Sequence, residues 1–121
     1  MSESRETTFP RDVASHAEQA DVLRRLAGEL CDGLAEHGRR GRTIAIKVRL
    51  DDFTTITRAR TVAGATNDRE VVSEVACALH AEYAPPRPVR LLGVRVAAFE
   101  HEAFTPVAAP DGESPQLALK L

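Results

Sequence analysis

The residues able to do chemistry in this 121-residue chain are few, and their spacing disfavours catalysis. Asp51 and Asp52 are adjacent carboxylates, but neighbours on an extended chain point to opposite faces and chelate one ion poorly. A turn-forming role suits them better. Cys31 and Cys77 lack C-x-x-C spacing, and each is expected as a free thiol on a helix. His16, His37, His80 and His101 lie at intervals of 21 or more, without the spacing of a metal site, and are expected as solvated surface side chains. No nucleophile is set beside a base, so a binding role is favoured over turnover.

The chemistry that remains is charge. The net value of −2 conceals a division by segment. Residues 1–38 carry four Arg against eight Asp/Glu, whereas residues 39–62 carry seven Lys/Arg against Asp51 and Asp52 alone. Residues 63–84 are again acidic, with Arg69 against four acids, and residues 85–99 hold Arg87, Arg90 and Arg95 with no acid. Residues 100–121 return to acidic.

These divisions coincide with changes of periodicity. Leu23, Leu26, Ala27, Leu30 and Leu34 make one helical stripe, opened by Ser15 and Glu18 as a capping box and stopped at Gly38. Val72, Val75, Ala76, Leu79 and Tyr83 repeat the stripe, with Asn67 and Glu70 as the cap and Pro85-Pro86 as the stop. Ile44, Ile46, Val48 and Leu50 alternate with polar residues, Thr54 to Val62 is rich in β-branched residues, and Leu92, Val94 and Val96 alternate with Gly93 and Arg95. A short strand at Thr7 to Phe9, ended by Pro10, completes the order βαββαβ. The predicted class is α+β, a four-stranded antiparallel sheet with two helices packed on one face.

If both helices cover one face, the alternate residues of the basic strands line the other. The expected members, on that face or its rim, are Arg42, Lys47, Arg49, Arg58, Arg60, Arg90 and Arg95, with the acids left on the helical side. Thr54, Thr55, Thr57 and Thr61 add hydroxyls, and the combination suits a polyanion bound through its phosphates. Aromatics make up 4% of the chain and Phe53 alone lies between residues 10 and 82, so base stacking of the RNA-recognition type is disfavoured. A small-molecule regulatory module, the other α+β alternative, would need a glycine-rich loop where Asp51-Asp52 stands.

The stretches Gly41 to Leu50, Asp52 to Val62 (D-F-x-x-x-T-R-x-R-T) and Pro88 to Val96 (V-R-L-L-G-V-R) resemble the hallmark strands of the little finger, the C-terminal DNA-gripping domain of Y-family translesion DNA polymerases of the polymerase IV type. The resemblance implies a sheet lying across the major groove of primer-template duplex DNA. It implies phosphate contacts at Lys47, Thr57, Arg58, Arg60, Thr61, Arg90 and Arg95. Leu91 stands where relatives often carry a second basic residue. The Mg²⁺ carboxylates of such polymerases belong to the palm, so the resemblance implies no cofactor and no catalytic residue in this domain.

Beyond Glu100 the periodicity gives way to Pro, Ala, Gly and acids. The expected organisation is a disordered N-terminus at 1–4, a little-finger domain at 5–101, a flexible linker at 102–115 and a terminal motif at 116–121. That motif, Gln116, Leu117, Leu119 and Leu121, resembles the peptide by which polymerase IV enzymes bind the sliding (beta) clamp, with Lys120 departing from the aromatic-ended form. No apolar run resembles a signal peptide or a membrane span, so a cytoplasmic protein is expected; the expected state is a monomer.

Overall fold

The computed structural model describes residues 2–99. The predicted order is borne out: β1 (Ser2–Val13), α1 (His16–Glu36), β2 (Gly41–Leu50), β3 (Thr55–Thr66), α2 (Arg69–Tyr83) and β4 (Val89–Phe99). The four strands form one antiparallel sheet in the order β1-β4-β2-β3. The linker and the motif at 116–121 lie outside the described residues.

Helix α1 begins where the Ser15 Oγ accepts the Glu18 N–H at 3.1 Å, satisfying one of the donors that a helix start leaves free. It ends at His37, and Gly38 follows in the left-handed region at φ 64°. Its leucine stripe is driven together by burial: Leu23, Leu30 and Leu34 are fully enclosed against β-strand residues Ile44, Val48, Leu92 and Val96. Each enclosed leucine contributes roughly 1.5–3 kcal/mol, several times the helix-propensity difference between any two ordinary residues. Packing therefore decides where this helix lies. Cys31 shares that face, and burial pushes its thiol up to about 11, leaving it protonated and unreactive.

Helix α2 is capped one residue later than expected. The Asp68 carboxylate accepts the Glu70 N–H at 2.8 Å, while the Asn67 amide donates to the Arg39 carbonyl at 3.1 Å and joins the helix start to the connection between α1 and β2. The helix closes on Ala84 in the left-handed conformation at φ 49°, its N–H bonded to the His80 carbonyl at 2.8 Å. An alanine there carries a Cβ clash that glycine lacks. Ala84→Gly should therefore raise stability by about 1 kcal/mol and the thermal midpoint by roughly 4–8 °C, and an unchanged midpoint would show that the cap is unstrained.

The N-terminal strand is longer than Thr7 to Phe9. It pairs with β4 from Ser2 opposite Ala97 through Thr8 opposite Leu91, so residues 2–4, expected to be disordered, are strand. The sequence disguises this strand because its helix-side residues Glu3, Arg5 and Thr7, opposite Val96, Val94 and Leu92, are polar, with Glu3 paired to Arg39 at 2.9 Å, so no apolar alternation results. Pro10 lies in the irregular stretch between Thr8 and Val13, where a missing N–H is tolerated.

Histidine 80 is not solvated. It is 3% exposed, and its Nε2 meets the Gln19 Oε1 at 2.7 Å, while the Gln19 Nε2 donates to the Val13 carbonyl at 2.7 Å. With the amide nitrogen of Gln19 committed to Val13, its oxygen faces His80, so His80 Nε2 is the donor. His16 packs edge-on to His80 and reaches the Pro85 carbonyl at 3.0 Å. A polar chain, buried at Gln19 and His80, thus joins the ends of β1 and α2 to the first turns of α1.

Candidate nucleic-acid interface

Register assigns each strand residue to a face, because directly paired residues of an antiparallel sheet point the same way. Ile44, Ile46 and Val48 face the helices together with Val96, Val94 and Leu92. The opposite face receives Thr43, Ala45, Lys47 and Arg49 from β2, Ala97, Arg95, Gly93 and Leu91 from β4, and Ser4, Glu6 and Thr8 from β1. From β3 it receives Thr55, Thr57, Ala59 and Thr61, the partners of Arg49, Lys47, Ala45 and Thr43.

Three of the expected cations therefore lie on the open face: Lys47, Arg49 and Arg95. Arg95 is exposed between Ser4 and Ala45, side chains too short to cover it. Arg49 donates to the Thr55 Oγ1 at 2.8 Å, and Thr43 and Thr61 share a hydroxyl contact at 3.2 Å. Ser4, Glu6, Lys47, Thr57, Gly93 and Arg95 surround a shallow depression of about 350 Å³ in the middle of this face. Its floor is low because residue 93 is glycine; a Cβ there would come within 3.1 Å of the Glu6 Cβ.

Arg58 and Arg60 are a correction. Their β2 partners, Ile46 and Ile44, face the helices, so both arginines emerge on the helical side of this edge strand. Arg60 makes a two-oxygen contact with Glu82 of α2 at 2.8 Å, and the Arg58 guanidinium lies 5.1 Å from the Tyr83 ring centroid. Parity carried the signal: Ile56, Arg58, Arg60 and Val62 form one alternate set, and its two apolar members pack against the core. The acids are not all on the helical side either. Glu6 is on the open face, 3.5 Å from the Lys47 Nζ.

Arg90 is displaced by the irregular register between Arg49 and Leu50, which sets Val89 opposite Leu50. Its guanidinium lies 4.2 Å from the centroid of Phe53, a cation–π contact in the β2–β3 turn. Arg42 turns its Nε to the Val62 carbonyl at 3.2 Å. The Asp51-Asp52 pair builds the turn as expected. Asp51 accepts from the Arg87 Nε at 2.6 Å, and the Asp52 Oδ1 accepts the Thr54 N–H at 3.0 Å, a bond that holds its carboxyl below the usual range. Sequence reasoning missed the Arg87 clamp, which joins positions 36 apart and leaves no local pattern.

Cations and hydroxyls spread over an open sheet face suit an extended anion better than a compact one. The family model described as the impB/mucB/samB family C-terminal domain matches residues 1–108. The chain belongs to this family. As an impB/mucB/samB C-terminal domain it is 39% identical over 97 residues to DNA polymerase IV of Methanoculleus marisnigri, covering 80% of this chain and 27% of that protein. It is 36% identical over 114 residues to DNA polymerase IV of Streptomyces coelicolor, covering 91% of this chain and 24% of the relative. The domain thus spans about a quarter of the length of these curated relatives.

Among solved structures it shares the fold of the little finger domain in a "Complex of beta-clamp processivity factor and little finger domain of PolIV", at 23% identity, a TM-score of 0.68 and 100% coverage of both chains. It also matches part of an insertion ternary complex of Dbh DNA polymerase at 16% identity and a TM-score of 0.68, covering 81% of this chain and 28% of that one. The resemblance carried by the three strand motifs is borne out: the chain is an impB/mucB/samB C-terminal domain, similar over most of its length to part of DNA polymerase IV proteins, and has the fold of a polymerase little finger. None of its described helices is long and apolar enough to cross a membrane.

Proposed function

We propose that this domain grips the backbone of primer-template duplex DNA, without reading sequence, on behalf of a translesion DNA polymerase whose catalytic groups and Mg²⁺ belong to other domains. The observation that carries the proposal is the open sheet face, where Lys47, Arg49 and Arg95 stand among Thr43, Thr55, Thr57 and Thr61. Ammonium, guanidinium and hydroxyl donors at strand spacing suit successive phosphates, which position a protein on DNA without specifying a base. Among the described residues the face offers no aromatic ladder for the RNA-recognition alternative.

The second part of the proposal is that Gln116, Leu117, Leu119 and Leu121 bind the sliding clamp. The three leucines alternate along six residues, so an extended segment can present them together to an apolar pocket while Gln116 bonds at its rim. Support comes from a neighbour of this fold, solved with a beta-clamp processivity factor. Tethering by a linker of roughly 15 residues, reaching about 20 Å, raises the local concentration of the sheet face at the DNA.

One truncation tests both parts. A chain ending at residue 115 should keep its affinity for a primer-template duplex, measured by fluorescence anisotropy, and lose binding to a bacterial sliding clamp, measured by surface plasmon resonance. Clamp binding equal to that of the full chain would overturn the peptide assignment. Absence of duplex binding by the full chain at low salt would overturn the sheet assignment.

A further inference from the structure

The turn between β2 and β3 presents an exposed aromatic side chain that the backbone-gripping face does not use. Phe53 is 65% exposed. Its backbone adopts φ 71°, a left-handed conformation that a bulky residue rarely takes unless its surroundings impose it. The surroundings here do. The Phe53 N–H bonds to the Leu50 carbonyl at 2.9 Å, the Leu50 N–H to the Thr54 carbonyl at 2.8 Å and the Asp51 N–H to the Pro88 carbonyl at 2.9 Å. Arg87 then holds Asp51 from the α2–β4 connection. The turn is a fixed mount, and the ring is what it mounts.

One side of that ring is occupied by the Arg90 guanidinium at 4.2 Å. An aromatic ring backed by a cation and exposed to solvent offers a flat, polarised surface, and the planar groups most suited to it are nucleobases, which stack on aromatics regardless of identity. A duplex keeps its bases stacked on one another, so a free base face is found only where the strand is unpaired. Arg49, bonded to Thr55 just beyond the turn, places a cation of the phosphate-binding face beside this ring in the chain.

Resting on the duplex-binding role proposed above, we propose that Phe53, backed by Arg90, is a stacking platform for an unpaired base of a strand continuing beyond the duplex held on the sheet. The domain would then bind the junction between paired and unpaired DNA in preference to the duplex alone. An aromatic anchor for a protein pocket would use the same exposure, but would need no flat face and would accept an aliphatic replacement.

The full chain is titrated by anisotropy against a blunt duplex and against the same duplex carrying a short unpaired extension. The wild-type chain should prefer the extended DNA by roughly five- to a hundredfold. Phe53→Ala and Phe53→Leu should both remove the preference while leaving blunt-duplex affinity unchanged, and Phe53→Trp should keep it. Circular dichroism of each variant confirms that the sheet is intact. Equal wild-type affinity for the two DNAs overturns the platform, as does a preference that survives in Phe53→Leu. Binding of neither DNA instead removes the duplex-binding role, and the platform with it.

Discussion

Replacing Lys47, Arg49 and Arg95 together by alanine is expected to lower duplex affinity by roughly 500-fold at 0.1 M salt, if each neutralises one phosphate. The reasoning is counterion release: each neutralised phosphate contributes about −0.9 to the slope of log affinity against log salt, so the triple variant should lose about 2.7 from that slope. These three share the open face by register, whereas Arg58 and Arg60 are turned to Tyr83 and Glu82 on the helical side. The double variant Arg58→Ala/Arg60→Ala should therefore change the slope far less. A larger loss in the double than in the triple would show that the edge of β3, not the open face, carries the DNA. Glu6, 3.5 Å from the Lys47 Nζ, competes with phosphate for that ammonium, so Glu6→Gln should tighten binding.

The largest effect on stability is expected at the other side of the molecule, where Gln19→Leu should cost about 2–5 kcal/mol in urea denaturation. Leucine fills much the same volume but leaves the Val13 carbonyl and the His80 Nε2 buried without partners, and each orphaned group costs about 1–3 kcal/mol. A loss below about 0.5 kcal/mol would mean that water replaces the amide at this site. The same chain makes stability depend on pH. Burial first, and neighbouring His16 second, hold His80 below the ordinary imidazole value of 6.5. The unfolded chain then takes up a proton at a higher pH than the folded one. Stability is accordingly full above about 6.5, falls as the pH drops below that value, and levels off once the lower folded value is passed. Urea midpoints at neutral and mildly acidic pH should diverge in the wild-type chain and converge in His80→Gln.

Strands β2 and β4 were legible because each buries one face completely, so their alternation survives in the sequence, and α1 and α2 were legible for the same reason at helical period. The edge strands were not. Strand β3 keeps only Ile56 and Val62 against the core, and with two arginines between them the basic character of the strand masked its parity. Strand β1 keeps fewer apolar residues still, and its length appears only through its pairing with β4. Asn67 and Asp68 are equally competent caps, and what separates them is the Arg39 carbonyl, 28 positions away in sequence. The burial of His80 likewise depends on Gln19, 61 positions distant. Contacts of that kind leave no local periodicity to read.

The pairing of β1 with β4 also decides how the domain responds to force. Ser2 stands opposite Ala97, so the first described strand begins beside the place where the last one ends, at one end of the sheet. A pull applied through these two points opens the ladder from that end, one residue pair after another, as a zipper opens. It does not load all the pairs at once, as it would in shear. Traction through the chain would peel β1 away first and leave β4, β2 and β3 joined, so the three strands that carry Lys47, Arg49, Arg95 and the threonines would be the last to come apart.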